Sequence, residues 1–312
     1  MRSIWYIEIL SFFGSLLAGG FFLLCLVVLG LLNYEYLNLF LGLLVMIFVS
    51  ILSFIPQKDQ KVSFRPVIFS FLNQGFVLFL FGVYEVFKPT DISFLWTILS
   101  FQTLFFFFVS NPIQRFLSPI LFFVFSVVLL FEYKILILVP ILTAVSVALF
   151  YRFTQPENIP ENFESLPYSL CISLLCLAGF SFFPELKQSP KIPQLQTVVF
   201  YLAGCFFLYQ ELIPQTNYRI LTTLLLFFGL IFFPTLETPG VIASFLVILV
   251  SFAKGYPFLT YLAWASLVLF YFGFYYDLDS TLLEKSQMMF GSSLLFFLSY
   301  FGLRFSPFRK KR

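Results

Sequence analysis

Phe21-Phe22-Leu23-Leu24-Cys25-Leu26-Val27-Val28-Leu29-Gly30-Leu31-Leu32 runs without a charged or amide side chain. A strand of an outer-membrane barrel would alternate apolar and polar residues over a short stretch, and this run does not. It reads as helix in lipid, where every backbone N–H and C=O must find its partner inside its own segment. Extended toward the N-terminus the apolar stretch covers residues 9–32, enough for a bilayer core about 30 Å thick, which takes roughly 20 helical residues to cross.

The rest of the chain repeats the pattern. Of its 312 residues 60% are hydrophobic and 11% charged, and the mean hydropathy of +0.97 is far outside the range of soluble domains. The expected fold class is all-α: a polytopic transmembrane helical bundle forming a single integral-membrane domain over 1–312, with no soluble domain. With Pro, Asn, Gln and charge as punctuation, the spans are 9–32, 37–55, 66–87, 92–110, 116–131, 135–151, 167–184, 196–213, 219–234, 239–253, 257–276 and 284–303. That gives about twelve, with ten to thirteen compatible. Around Glu132 to Lys134 and Glu237 to Gly240, two short segments can also be read as one bent helix or a re-entrant hairpin.

Orientation follows from Lys and Arg, whose excess marks cytoplasmic loops. With twelve spans, Arg2, Lys58, Lys61, Arg65, Arg115, Arg152, Arg219, Lys254, Arg304, Arg309, Lys310, Lys311 and Arg312 share one side. Only Lys88, Lys134, Lys187, Lys191 and Lys285 fall on the other. Both termini are therefore expected to be cytoplasmic.

Several chemistries are disfavoured. The chain has no histidine, the usual metal ligand and near-neutral proton carrier. Its four cysteines, Cys25, Cys171, Cys176 and Cys205, lie in apolar runs without zinc or redox spacing. No metal and no cofactor is expected, and a net charge of +3 does not suggest nucleic-acid binding. No lipobox or signal-cleavage site precedes Cys25, so the first helix is expected to stay. Fifty phenylalanines are read as bulky lipid-facing filler rather than a stacking surface.

Ion-coupled transport should leave ionisable groups at mid-membrane, and none falls there. Glu85, Glu132 and Glu211 lie near span ends. The intramembrane polar candidates are Asn73 and Gln74 in the third span and Gln102 in the middle of the fourth, with Thr222 and Thr223 in the ninth. Each can hydrogen-bond across helices for about 1 kcal/mol or less; a substrate contact is the sharper alternative. Pro119 and Pro140 are candidate kinks, whereas Pro184, Pro214 and Pro234 read as terminators. Gly14 with Ala18, Ser15 with Gly19, and Gly240 with Ser244 are small-residue pairs that allow close helix approach.

Four charges gather in Tyr275 to Ser286, and Asp277, Asp279, Thr281, Glu284 and Lys285 form the candidate functional cluster. Thr281 and Glu284 have capping-box spacing, and acids suit the positive end of a helix dipole. Lys285 opposes that dipole and needs a counter-charge, from these acids, a lipid headgroup or a partner.

Pro239-Gly240, Phe252-Ala253-Lys254-Gly255, Tyr275-Tyr276 with Leu278, Thr281-Leu282-Leu283 and Lys285-Ser286 resemble the C-terminal signature of a bacterial polytopic family, domain-of-unknown-function family 4401 (DUF4401). Trp5-Tyr6, followed by an apolar helix with Gly14, Leu16 and Ala18, is similar to its opening. The resemblance implies a multi-pass protein of the bacterial inner membrane with no established activity and no catalytic residues to carry over. It also implies, besides the lipid bilayer, two kinds of membrane protein as partners: those of family 2157 (DUF2157) and those with a GDYxxLxY motif.

Three readings follow. A non-enzymatic scaffold or envelope-associated component is favoured by the lack of nucleophile, metal and nucleotide motifs. A transporter or lipid carrier is favoured by the span count and kinks. A transferase or hydrolase at the extracytoplasmic surface would need Asp277, Asp279, Glu284 and Lys285 to converge.

Overall fold

A computed structural model describes residues 5–30, 34–53, 65–109, 111–155, 163–183, 191–212 and 238–277, with single residues 283, 286, 287, 290, 291, 294 and 297 beyond them. The chain is all-α, with ten α-helices among the described residues. It divides into two compact units, Met1–Leu138 with Arg152–Ser173, and Val139–Tyr151 with Leu174–Arg312.

The first unit is built on helices α1 (Trp5–Val28), α2 (Glu35–Ser53), α3 (Arg65–Phe87), α4 (Asp91–Phe108) and α5 (Pro112–Glu132). The apolar run of α1 continues past the helix, but Gly30 takes a left-handed φ of 67°, a conformation glycine adopts freely. The helix therefore stops four residues before the expected 32. Thr90 caps α4, its hydroxyl accepting from Ser93 N–H at 3.4 Å. Asn111 caps α5, with Pro112 in the first turn, where its missing N–H costs nothing. Beyond α5, Tyr133 caps the helix and Lys134 adopts φ 56°, so the ambiguous stretch around Glu132 to Lys134 is two helices and not one bent one.

Packing pairs fix the directions. Asn38 meets Glu85 and Gly42 meets Phe79, so α2 runs antiparallel to α3. Phe76 against Phe105 and Tyr84 against Phe94 set α4 antiparallel to α3, while Ser15 against Pro66 and Gly19 against Gln74 set α1 parallel to it, and Asn111 against Arg65 with Gln114 against Asn73 do the same for α5. The result is α1, α3 and α5 running one way and α2 and α4 the other. Its core joins Met46 and Val49 to Leu72, Phe76, Phe79, Ile98 and Phe105. Phenylalanine is thus not all filler: Phe76, Phe79, Phe101 and Phe105 interlock, with Phe79 and Phe101 centroids 4.7 Å apart, while Phe48 and Phe107 stay exposed as lipid-facing residues do.

The second unit holds most of α6 (Val139–Phe153), the end of α7 (Leu166–Gly179) with a 3-10 turn at Phe180–Phe182, then α8 (Lys191–Leu212), α9 (Pro239–Lys254) and α10 (Pro257–Asp277). Pro140 is the second residue of α6, so it removes no interior bond, and the expected kink is corrected to a helix start. Gly255, at φ 76°, closes α9, and Tyr256 N–H reaches back to the Ser251 carbonyl at 2.8 Å. The chain then reverses into α10, with the Ser251 and Thr260 hydroxyls 2.9 Å apart. Phe182 and Phe270 stack at 5.9 Å, and a Cβ on Gly240 would lie 2.3 Å from the Phe270 ring, one on Gly273 2.7 Å from Phe182.

Seven helices are long and apolar enough to cross a membrane among the described residues: Tyr36–Ser53, Arg65–Phe87, Asp91–Phe108, Pro112–Glu132, Leu136–Phe153, Lys191–Gln210 and Pro257–Tyr276. These spans embed the chain in a lipid bilayer as a multi-pass protein. The expected twelve is corrected accordingly. Phe13–Val28, Leu166–Phe182 and Pro239–Lys254 are shorter apolar helices, the expected span 219–234 lies outside the described residues, and 284–303 is described only at isolated helical positions.

Candidate functional site

Helix α3 presents Ser70 and Gln74 four residues apart, hence on one face, with Asn73 turned about 100° away. The first face meets α1. Ser15 Oγ donates to the Pro66 carbonyl at 3.0 Å and Ser70 Oγ donates back to the Ser15 carbonyl at 2.7 Å. Gln74 Nε2 then donates to Ser70 Oγ at 2.8 Å. Gly19 makes room for that amide, since a Cβ there would sit 1.1 Å from Gln74 Nε2. Gln74 Oε1 is buried without a hydrogen-bond partner among the described residues.

The second direction meets α5. Asn73 Nδ2 donates to the Phe69 carbonyl at 2.8 Å and to Gln114 Oε1 at 3.1 Å. Gln114 Nε2 continues to Ser118 Oγ at 3.1 Å. Gln114 and Ser118 are buried at 0% and 1% exposure, so the bond between them is made away from bulk water. Of the three sequence candidates, Asn73 and Gln74 belong to this seam as donors. Gln102 stands apart: it is 1% exposed, and neither its Nε2 nor its Oε1 has a partner among the described residues. An unmade bond of this kind costs about 1–3 kcal/mol per buried polar group.

One end of the seam carries Arg65 and Arg115. Asn111 Nδ2 donates to the Arg65 carbonyl at 2.7 Å while its Oδ1 accepts from Ile113 N–H at 3.0 Å. Ser165 Oγ donates to the Pro112 carbonyl at 3.3 Å, and the Arg115 guanidinium lies 4.7 Å from the Phe163 ring centroid. The N-termini of α3, α5 and α7, each the positive end of a helix dipole, therefore meet beside Arg65 and Arg115. At the opposite ends of α3 and α5 stand Lys88 and Lys134, both at positive φ, with the Trp96 indole N–H donating to Tyr133 OH at 3.1 Å. Aromatic residues with polar tips suit a membrane–water boundary.

Sequence reasoning missed Gln114 and, in the second unit, Gln196. Gln196 Nε2 donates to Thr143 Oγ1 at 3.1 Å and to the Leu177 carbonyl at 3.4 Å, tying α6 and the end of α7 to α8. Starting the expected spans at 116 and 196 put the first in a loop and the second at a boundary. Asn111-Pro112, a cap followed by a first-turn proline, was the available signal for the true start of α5.

Asp277 closes α10, but its side chain, like Asp279, Thr281, Glu284 and Lys285, lies outside the described residues. Among the described residues no three His, Cys, Asp or Glu side chains gather as metal ligands.

A family model covering residues 4–304 matches the chain, and its description is a domain of unknown function, DUF4401. The chain belongs to the DUF4401 family. No curated protein and no solved structure matches it. The DUF4401 match runs from α1 to beyond α10, so the polar seam of the first unit and Gln196 of the second both fall within the family domain.

Proposed function

We propose that this DUF4401 protein is a non-enzymatic scaffold, an envelope-associated component of the bacterial inner membrane acting as a single integral-membrane domain. One observation carries the reading: the buried amides and hydroxyls of α1, α3 and α5 are directed at one another and at the backbone. Polar groups used in this way hold helices together in lipid, where no hydrophobic drive acts between them. The end bearing Arg65 and Arg115, with Lys58 and Lys61 in the adjoining connection, suits the cytoplasmic side; the opposite turns carry only Lys88 and Lys134. On the same rule both termini, the N-terminus of α1 and the Arg309 to Arg312 tail, are proposed to be cytoplasmic. Purification in mild detergent, followed by identification of bound protein and lipid, tests the reading. A stoichiometric membrane-protein partner, such as a DUF2157 or GDYxxLxY protein, is the expected result; repeated recovery of a lone monomer would count against it.

A second reading, a carrier for a neutral or lipid-like solute, is favoured by Gln102, a buried amide with no hydrogen-bond partner among the described residues. Water access to Gln102 from one membrane face only, measured by thiol labelling of cysteines placed along α4, would support the carrier. Equal inaccessibility from both faces would support the scaffold.

A further inference from the structure

We infer that the Lys88 end of α3 holds one glycerophospholipid, an acyl chain lying along Val77, Phe81 and Tyr84 and the headgroup phosphate at the Lys88 ammonium. Ser70, Gln74, Val77, Phe81 and Tyr84 recur at helical spacing on one face of α3. Nearer Arg65 that face is covered by α1, where Ser15 bonds at Pro66 and Ser70 and Gly19 seats the Gln74 amide. Nearer Phe87 it is open: Val77, Phe81 and Tyr84 are 53%, 43% and 57% exposed.

Two features of α1 leave the face open. Phe22 packs on Phe71 with ring centroids 6.2 Å apart, and Phe71 is turned about 100° from Ser70, so α1 veers off the face as it rises. It also stops early. Ser15 stands between the levels of Pro66 and Ser70, which puts Val28, the end of α1, level with about Phe81, while α3 runs on to Phe87, about 9 Å farther. The flanks are helical: α2 stands against α3 where Leu39 meets Gly82, and α4 sets Phe94 against Tyr84 at 6.0 Å.

Depth selects the occupant. From Val77 to Lys88 is about 16 Å along the axis, half of a bilayer core about 30 Å thick. A partner's transmembrane helix laid on this face would run down into α1, whereas an acyl chain ends within its own leaflet. The charge at the mouth suits the same ligand. Lys88 follows α3 at φ 43°, a left-handed backbone that glycine adopts more easily, so what lysine adds to the helix stop is an exposed ammonium at the membrane surface. No ion pair holds it among the described residues: Glu85 accepts from Asn38 Nδ2 at 3.3 Å, and Asp91 lies in the first turn of α4. A headgroup phosphate gives Lys88 a charge-assisted partner. This holds for a scaffold and a carrier alike.

Photocrosslinking on the full chain tests the site. Benzoylphenylalanine replaces Phe81 or, as the ordinary lipid-facing reference, Phe40 of α2, which is 64% exposed. Protein from vesicles of phosphatidylethanolamine and phosphatidylglycerol is washed in mild detergent, irradiated and read by mass spectrometry. The probe at position 81 should capture phospholipid about threefold or more above the probe at 40, the scale of one exposed charged contact. Lys88→Gly, which suits the backbone and removes the charge, should bring position 81 down to the level of position 40, and Lys88→Arg should keep the excess. Equal capture at the two positions, an excess that survives Lys88→Gly, or capture of protein in place of lipid at position 81 would overturn the site. Should Lys88→Gly fail to fold, Lys88→Asn, also tolerated at positive φ, gives the same decision: loss of the excess supports the site and its persistence refutes it.

Discussion

The two sides of α3 hold their neighbours by opposite means. Toward α2 the helix presents Gly75 and Gly82, and α2 answers with Gly42. A Cβ on Gly42 would stand 2.4 Å from the Phe79 backbone nitrogen, and one on Gly82 2.4 Å from that of Leu39. Toward α1 it presents Ser70 and toward α5 Asn73, which reach across at 2.7 and 3.1 Å, while Gln74 bonds Ser70 from within α3 at 2.8 Å. The glycine side gains dispersion from backbones in direct contact, and the polar side gains bonds that have no competing water; both are answers to a solvent as apolar as leucine. The contrast teaches that the two sides should fail differently. Backbone contact has no way to yield, whereas a long amide can turn away.

The largest effect should come from Gly82→Leu, because the added side chain meets backbone and not a movable group. Destabilisation of about 3 kcal/mol or more is expected, visible as loss of the folded fraction in mild-detergent chromatography. Next, Asn73→Leu should cost about 1–2 kcal/mol, because Gln114 Oε1 loses its donor in a buried place; thermal unfolding in detergent would register it. Gly19→Ala should cost about 1 kcal/mol, since the amide of Gln74 can swing aside at the loss of its bond to Ser70. If Gly19→Ala proves as damaging as Gly82→Leu, the distinction between a rigid and a yielding side is wrong. The smallest change is expected from Gln74→Leu. It removes one bond and one buried unpartnered oxygen together, leaving stability within about 1 kcal/mol of the parent.

Helices and class were legible because a bilayer leaves a long apolar run few choices, and the starts of α3, α4, α9 and α10 fall within a residue of expectation. The count was not. Treating every continuous apolar segment as a crossing made spans of helices such as Leu166–Phe182 and Pro239–Lys254, which are shorter. Apolar run length also says nothing about where a helix stops: Gly30 ends α1 inside an uninterrupted apolar sequence.

The polar seam was half legible for a related reason. Asn73, Gln74 and Gln102 stood out because apolar residues surround them on both sides. Gln114 and Gln196 sit within two turns of a helix start, where polar residues were taken as punctuation, although each is wholly buried. Which amide pairs with which is a property of helix packing, and no single sequence displays it. Ser15 and Gly19 were recognisable as a close-approach pair; that Gly19 admits the Gln74 amide was not.

Cross-helix bonding through neutral side chains is the claim on which the scaffold reading rests, and a double-mutant cycle on Asn73→Leu and Gln114→Leu, measured by unfolding in mixed micelles, tests it most directly. The account predicts that the two changes are not additive, with a coupling of about 0.5–1.5 kcal/mol, in the range measured for polar pairs between membrane helices. Strict additivity, with each substitution costing the same whether or not the other is present, would contradict it.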